Sequence, residues 1–212
     1  LGSLCTASYI LSKGGLLTNK KATIHWENQD SFAEEVPDLF FTTNLYEIDK
    51  DRYSCSGGTS SLDLMLNIIS GMHGNNLAKN ISDQLIHERI RLPSDFQRMN
   101  LRSRLGVSHP KLLNAVSIME ENLEEPLSQK DLASKSNISL RQLERLFKKY
   151  ISNTPNQYYL KLRLERAQNL LMQTSMSILS VALASGFTSS SHFSKCYKVQ
   201  FGISPRDTRF QE

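Results

Sequence analysis

A pattern that repeats after about 50 residues constrains the fold of this chain more than any other feature. The segment LERLFKKYISNTP, residues 143–155, recurs as FSKCYKVQFGISP, residues 193–205, with the aromatic, basic and Ser/Thr-Pro positions in register. Upstream of these segments the spacing falls to 49 residues, so the second copy contains one additional residue, in a turn where insertions are best tolerated. The repeat predicts two copies of one small helical unit.

Each copy has the order of parts that is typical of a helix-turn-helix unit. A short helix carries an alanine where a second helix must approach closely. The turn carries a residue that accepts left-handed backbone angles, and an apolar residue then holds the turn in place. These positions are Ala133, Asn137 and Ile138 in the first copy and Ala182, Gly186 and Phe187 in the second. Such a unit places its second helix in the major groove of DNA.

From residue 108 onward the pattern is helical throughout. Helices are predicted at about 110–123, 128–135, 139–150, 156–172, 177–185, 190–200 and 205–211. Capping-box spacing after Ser128 and Ser139, and an N-cap hydroxyl before Pro155 and Pro205, support the starts of four of them. The helix at 156–172 would span roughly 25 Å. That length suits a connector that presents two recognition helices to successive faces of the major groove.

The second helix of each unit separates apolar from polar residues at about 100° per residue. The predicted inward-facing residues are Leu143, Leu146, Phe147 and Tyr150, and Phe193, Cys196, Tyr197 and Gln200. The predicted outward-facing residues are Arg141, Glu144, Arg145 and Lys148, and Ser191, Ser194, Lys195 and Lys198. The matched pair favours groove recognition over the alternative of two surface helices whose charges are only solvated.

Charge divides the chain in the same way. Residues 1–88 contain 6 Lys and Arg against 11 Asp and Glu, whereas residues 89–212 contain 19 against 10. Only the basic part is therefore expected to meet a polyanion. The three cysteines match no metal spacing and indicate a reducing compartment. With no export signal and no membrane-spanning run, the sequence predicts a cytoplasmic protein without metal, cofactor or membrane contact.

Residues 1–88 alternate helical and strand-like patterns, which is typical of an α/β layer. Helices are expected at about 7–17, 31–36, 60–70 and 76–88, and strands at about 21–26 and 52–56. Two or three strands make an incomplete sheet, so we expect the remaining strands to lie upstream of Leu1. Residues 89–107, with five arginines, are interpreted as a basic linker; a solvated connector is favoured over a contact with phosphates.

The C-terminal arrangement resembles the AraC/XylS family of bacterial transcription regulators. The segment SILSVALASGFTSSSHFSKCYKVQFGISP matches the family signature, and the resemblance covers about residues 108–212. It implies sequence-specific binding of double-stranded DNA. The implied DNA-binding residues are Arg141, Glu144, Arg145 and Lys148 of the first recognition helix, and Ser190, Ser191, His192, Lys195 and Lys198 of the second. The second unit is expected to read fewer bases, and for His192 both a contact to DNA and simple solvation stay open.

Residues 1–88 are similar to the C-terminal portion of ThiJ/PfpI-type, class-I glutamine-amidotransferase-like domains. The similarity lies in LGSLCTASYILSKGGLLTNKKATIHW and CSGGTSSLDLMLNII. It assigns Cys5 to the position of the catalytic nucleophile, with His25 as a neighbouring base. Thr6 stands where proteolytic members have histidine. We therefore favour a sensor that binds a small-molecule effector over an inert or dimerising domain, and both over catalysis.

The expected fold is thus an α/β fragment (residues 1–88), a basic linker (89–107) and an all-α domain of two helix-turn-helix units joined by a long helix (108–212). The expected function is a metabolite-responsive transcription regulator, not an enzyme. The alternative is a cysteine-dependent hydrolase or lyase with a DNA-binding appendage. By analogy, similar members regulate catabolism of arginine or of quaternary amines such as glycine betaine and carnitine. RNA polymerase and a second copy of the chain stay open as further partners.

Overall fold

A computed structural model describes residues 1–210 of the chain. It contains two compact units, Leu1–Arg98 and Met99–Glu212, and the boundary between them falls inside the predicted linker. In the described residues, no helix is both long and apolar enough to cross a bilayer. No group of three or more His, Cys, Asp or Glu side chains there is arranged to hold a metal ion.

Unit 1 combines two small sheets with four helices. In chain order its elements are β1 (Gly2–Leu4), α1 (Ala7–Lys13), β2 (Lys21–Thr23), a 3-10 turn (Trp26–Asn28), α2 (Gln29–Glu35), β3 (Phe40–Thr42), β4 (Tyr46–Asp49), β5 (Arg52–Cys55), α3 (Ser60–His73) and α4 (Asn75–Gln84). One sheet has the order β1-β5-β4, with β1 parallel and β4 antiparallel to β5, and the other pairs β2 with β3 in parallel.

The six predicted elements of unit 1 are present, but two helices end early and three strands were missed. α1 stops at Lys13, at the Gly14-Gly15 pair that the sequence predicts as the end of this helix, and so before Leu17; the chain turns at Gly15, whose φ is 70°. α4 stops at Gln84 rather than Glu88, before Ile86 with a φ of 54°. The missed strands β1, β3 and β4 contain only three or four residues each. Such short strands carry almost no alternation to detect.

The segment 89–98 is packed on unit 1, so its interpretation as a solvated connector was wrong. The carboxylate of Asp63, on α3, is 0% exposed and accepts hydrogen bonds from His87 Nε2, from the backbone N–H of Arg91 and from the Arg91 guanidinium, each at 2.8 Å. The Gln97 side-chain amide donates to Thr23 Oγ1 at 3.0 Å. These bonds hold the segment against the strands and α3.

Unit 2 contains helices throughout. They are α5 (Leu101–Leu105), α6 (Pro110–Glu121), α7 (Gln129–Lys135), α8 (Leu140–Tyr150), α9 (Pro155–Gln173), α10 (Ile178–Ala184), α11 (Ser190–Phe201) and α12 (Pro205–Arg209). The seven helices predicted here are present, within two residues at each end. α5 was missed because its five residues lie in the predicted linker. Arg104 of α5 forms an ion pair with Glu120 of α6.

Two separate hydrophobic cores lie within unit 2. The first is formed by buried residues of α6, α7 and α8 with Tyr159 of α9, and the second by Leu164, Ala167, Leu170 and Leu171 of α9 with residues of α10 and α11. α9 therefore contributes to both cores. Each core supports one helix-turn-helix unit, and α9 joins the two.

Replacing Asp63 with asparagine is expected to lower the free energy of unfolding of unit 1 by about 3 kcal/mol, because it leaves the Arg91 charge without its buried partner. Burial raises the pKa of Asp63. Hydrogen bonds from the Arg91 backbone, His87 and the Arg91 side chain lower that pKa by more than burial raises it, so it lies below its ordinary 3.8. The stabilisation is therefore present above pH 3.8 and is lost as the pH falls through the folded value.

The sole tryptophan, Trp26, lies in unit 1, so its fluorescence during denaturant unfolding reports this unit alone. Asp83→Asn, at an exposed position of α4, is the matched control and should change the unfolding free energy little. Equal stability of Asp63→Asn and the parent chain at neutral pH would contradict the assigned role of Asp63.

Candidate nucleic-acid interface

The turns of the two helix-turn-helix units are built alike. Asn137 and Gly186 occupy the turns with positive φ values of 53° and 75°. The residue that follows each donates its backbone N–H to the matched alanine: Ile138 to the Ala133 carbonyl at 3.0 Å, and Phe187 to the Ala182 carbonyl at 2.8 Å. The alignment of the two copies in the sequence therefore corresponds to equivalent backbone hydrogen bonds.

Serine side chains cap the four helices of the two units. Ser128 and Ser177 accept the N–H of the third residue of α7 and α10, and Ser139 and Ser189 do so for α8 and α11. Each bond satisfies one of the backbone donors that a helix start leaves without an intrahelical partner. The first turns of both recognition helices, α8 and α11, are thereby fixed.

The structure exposes every residue that the sequence assigned to DNA binding. Exposed on α8 and α11 are Arg141, Glu144, Arg145, Lys148, Ser190, Ser191, His192, Lys195 and Lys198. Among residues 1–210, none of the arginine, lysine and glutamate side chains in this set belongs to an ion pair. The cationic groups of both helices are thus available to an external anion. Their assignment as base-reading residues stays a prediction.

The inward faces agree with the sequence at five of eight positions. Leu143, Leu146, Phe147, Phe193 and Tyr197 are buried, and Cys196 is half-buried. Tyr150 and Gln200, predicted to face inward, are exposed. Both lie in the last turn of their helices. Ser194, predicted to face outward, is half-buried.

Arg163 of α9 is a site residue that the sequence did not indicate. Its Nε donates to the Ser185 carbonyl at 2.9 Å, its terminal nitrogen donates to the Gly186 carbonyl at 2.6 Å, and its guanidinium lies 4.2 Å from the centre of the Phe187 ring. Burial lowers the pKa of Arg163 from its ordinary value. Arg163 satisfies the carbonyls of the two residues that follow α10 and thereby holds the second turn. Its partners lie 22 residues or more along the chain, so no local pattern could have identified it.

His192 and Cys196 form a contact on α11. The ring Nε2 of His192 lies 3.3 Å from the Cys196 Sγ, one helical turn away. The ring of His192 also lies 5.8 Å from that of Phe187, so one edge of the second recognition helix is held against the turn. The other ring nitrogen can still donate to an external acceptor.

A cleft of about 210 Å³ in unit 1 lies beside the second sequence-predicted site. Its lining includes His25, Trp26, Gly57, Arg91 and Gln97. The lining does not include Cys5. Cys5 has a φ of 56°, and its Cβ would lie 2.7 Å from a Cβ added at Gly57.

His25, the candidate base or hydrogen-bond partner of Cys5, is not hydrogen-bonded to it in this arrangement. In residues 1–210 no hydrogen bond joins the two side chains. The ring Nδ1 of His25 accepts the backbone N–H of Glu27 at 3.4 Å instead. The pairing of a cysteine with an adjacent base, which a cysteine nucleophile requires, is therefore not formed by these two residues.

Comparison with known proteins identifies the kind of domain that the C-terminal region forms. Residues 132–211 match the family model described as a helix-turn-helix domain. They span α7 to α12 and contain both turns with their recognition helices. Residues 132–211 form a helix-turn-helix domain.

Proteins named as transcriptional regulators match the chain along nearly its whole length. Over 209 residues, 99% of the chain, it is 49% identical to the HTH-type transcriptional regulator GbdR of Pseudomonas aeruginosa, of which it covers 57%. It is 46% identical to the HTH-type transcriptional regulator ArgR of the same species over 211 residues, 64% of that protein. The chain thus spans less than two thirds of these relatives, which are named as regulators and not as enzymes.

A solved AraC-type transcriptional regulator from Chromobacterium violaceum is also similar. It is 56% identical, and the match covers 48% of this chain and 91% of that one, with a TM-score of 0.47.

Loss of the serine cap on α8 is expected to loosen the start of the first recognition helix. Ser139→Ala removes the acceptor of the Gln142 N–H, which lies 3.2 Å from the Ser139 Oγ. The cost of about 1 kcal/mol corresponds to an approximately fivefold faster amide exchange at Gln142. Hydrogen exchange followed by NMR measures it. Ser134→Ala, exposed on α7, is the control; unchanged exchange in Ser139→Ala would show that the cap does not stabilise this turn.

Proposed function

We propose that this protein is a sequence-specific DNA-binding transcription regulator in which both helix-turn-helix units contact one duplex. One observation carries the proposal: two equivalent turns lead into two capped helices, and both helices expose unpaired cationic groups. The names of the relatives support it. A regulator of this kind acts where the chromosome lies, so the cytoplasm is the proposed location. RNA polymerase and a second copy of the chain stay predicted partners.

The two units differ in the chemistry of their exposed faces. α8 presents Arg141 and Arg145, whose guanidinium groups can bond bidentately to guanine in the major groove. α11 presents serines at its start with Lys195 and Lys198, and lysine acts as a point charge with less base selectivity. We propose that α8 contributes more sequence discrimination and that α11 contributes more to phosphate binding.

Selection of duplexes from a random pool is the test of this function. The chain should enrich a bipartite motif whose two parts lie about one helical turn apart, with an affinity that falls as salt rises. Failure to enrich any motif at low salt would contradict the proposal. The enriched duplex then serves as the probe for single substitutions.

Arg141→Ala and Arg145→Ala are each expected to reduce discrimination against a changed base by about 1–3 kcal/mol. Arg145→Lys is the matched control for charge: it should keep the salt dependence of binding but lose the base preference, because lysine lacks the planar fork. Lys198→Ala should weaken binding to all sequences alike and reduce the salt slope by about 0.9. Unchanged base preference in all three arginine variants would show that other residues read the bases.

We further propose that residues 1–88, within unit 1, are the C-terminal part of a ThiJ/PfpI-type sensor domain, and that the cleft of unit 1 contributes to a site for a small-molecule effector. The cleft combines an indole, two glycines at the start of α3 and the Gln97 amide. Trp26 gives a cationic group of a ligand an aromatic face, as it already does for Arg98 at 3.9 Å. The cysteine-dependent enzyme is not favoured, because Cys5 and His25 are not hydrogen-bonded.

The fluorescence of Trp26 should respond saturably to an effector, because this sole tryptophan lines the cleft. Glycine betaine, carnitine and arginine are the probes, and Gln97→Ala should weaken the response. Cys5→Ala should leave it unchanged. If Cys5→Ala instead abolished turnover of one of these compounds by the parent chain, the enzyme alternative would replace the sensor.

A further inference from the structure

The second turn has a glycine where the first has an asparagine, and the backbone angle alone does not explain the difference. Asn137 adopts a φ of 53° with its side chain exposed, which asparagine tolerates. Gly186 has a φ of 75°, so asparagine could adopt this angle too. A Cβ added at Gly186, however, would lie 2.6 Å from the Leu123 carbonyl oxygen and 2.8 Å from the Pro126 Cδ. The second turn therefore requires glycine because it touches the loop 123–126.

This loop belongs to the first unit. It connects α6 to α7, and Leu123 and Leu127 at its ends pack against the first core. The Tyr159 hydroxyl donates to the Asn122 carbonyl and accepts the Leu127 N–H at 3.3 Å. The Asn122 side chain in turn caps α6 through the Ile118 carbonyl at 2.7 Å. The loop is thus fixed to the first core, to which α8 contributes Leu143, Leu146 and Phe147.

Arg163 holds the second turn in place from α9. Its two hydrogen bonds to the carbonyls of Ser185 and Gly186 act on the residues that touch the loop. Phe187, which the guanidinium covers, is 2% exposed in the second core. The second turn therefore packs between Arg163 on one side and the loop 123–126 on the other. We call these residues, Arg163, Gly186 and the loop 123–126, the turn–loop contact.

We propose that the turn–loop contact sets the distance and angle between α8 and α11, and thereby the spacing of half-sites that the chain accepts on DNA. The two cores do not merge, so without this contact the orientation of α11 relative to α8 depends on the stiffness of α9. The second part of the proposal rests on the proposed DNA-binding function. The first part, on the geometry of the two helices, does not.

Three substitutions distinguish the effect of the turn–loop contact from the effect of placing a side chain at a glycine with a positive φ. Gly186→Asn keeps an angle that asparagine tolerates but places a Cβ against the loop. Gly202→Asn is its control, because Gly202 has a φ of 79° and an added Cβ meets nothing within 4 Å. Arg163→Met removes the two hydrogen bonds while keeping an apolar stem over Phe187. If Gly186→Asn does not fold, Arg163→Met alone tests whether the turn–loop contact positions the recognition helices.

The distance between the recognition helices is measured first, without DNA. Spin labels are attached at Glu144→Cys on α8 and Val199→Cys on α11, both exposed, in the full chain carrying Cys5→Ser, Cys55→Ala and Cys196→Ser. Pulsed dipolar spectroscopy should give one narrow distance distribution for the parent chain and for Gly202→Asn. It should give a displaced or broadened one for Gly186→Asn and Arg163→Met. Unchanged distributions in both variants, or an equal change in Gly202→Asn, would overturn the proposal.

Half-site spacing is measured next, on the selected duplex with one base pair added to or removed from the spacer. One base pair moves the second half-site by about 3.4 Å and about 34°. The parent chain should lose about tenfold in affinity, the scale of one mismatched pair. Gly186→Asn and Arg163→Met should lose clearly less, and Gly202→Asn should match the parent chain. A changed helix distance with an unchanged spacing preference would refute the specificity role, whereas a parent chain that selects no motif would refute the proposed function alone.

Discussion

The arrangement of unit 2 depends on one helix, α9, that must bury side chains in two cores at once. Its N-terminal half places Tyr159 in the first core, and its C-terminal half places Leu164, Ala167, Leu170 and Leu171 in the second. Because α9 has 19 residues and is about 28 Å long, different turns of the helix contribute side chains to the two cores. Because side chains three and four residues apart share a face, the spacing of the apolar residues of α9 decides which of its turns enter each core.

Hydrogen bonds at helix ends then determine what the cores leave exposed. Each recognition helix starts at a serine whose hydroxyl satisfies a backbone donor, and each preceding turn closes onto an alanine carbonyl. With the apolar faces buried, the exposed arginine and lysine side chains of α8 and α11 form no ion pair within the described part of the chain. The same local geometry therefore yields two faces of different chemistry, one rich in arginine and one in serine and lysine.

Unit 1 depends on a buried charge rather than on a large core. The Asp63 carboxylate accepts hydrogen bonds from His87 and Arg91. The bonds from Arg91 attach the segment 89–98 to α3. Buried carboxylates are costly unless they are paired and hydrogen-bonded. Asp63 meets both conditions. The same arrangement brings Arg91 and Gln97 to the cleft, so the residues that end this unit also help to line its candidate ligand site.

The sequence by itself determined seven of the eight helices that the structure describes in unit 2, both turns and the exposed charged faces. These follow from local rules: apolar residues at helical spacing, serine caps, proline at the first helical position, and residues that accept a positive φ. The tertiary structure alone decided the strands β1 and β3. Gly2 of β1 pairs with Tyr53, 51 residues away, and Phe40 of β3 pairs with Lys21, 19 residues away. It also decided the exposure of Tyr150, the role of Arg163 and the contact that requires Gly186. Each of these depends on atoms distant in sequence, and no local pattern encodes such contacts.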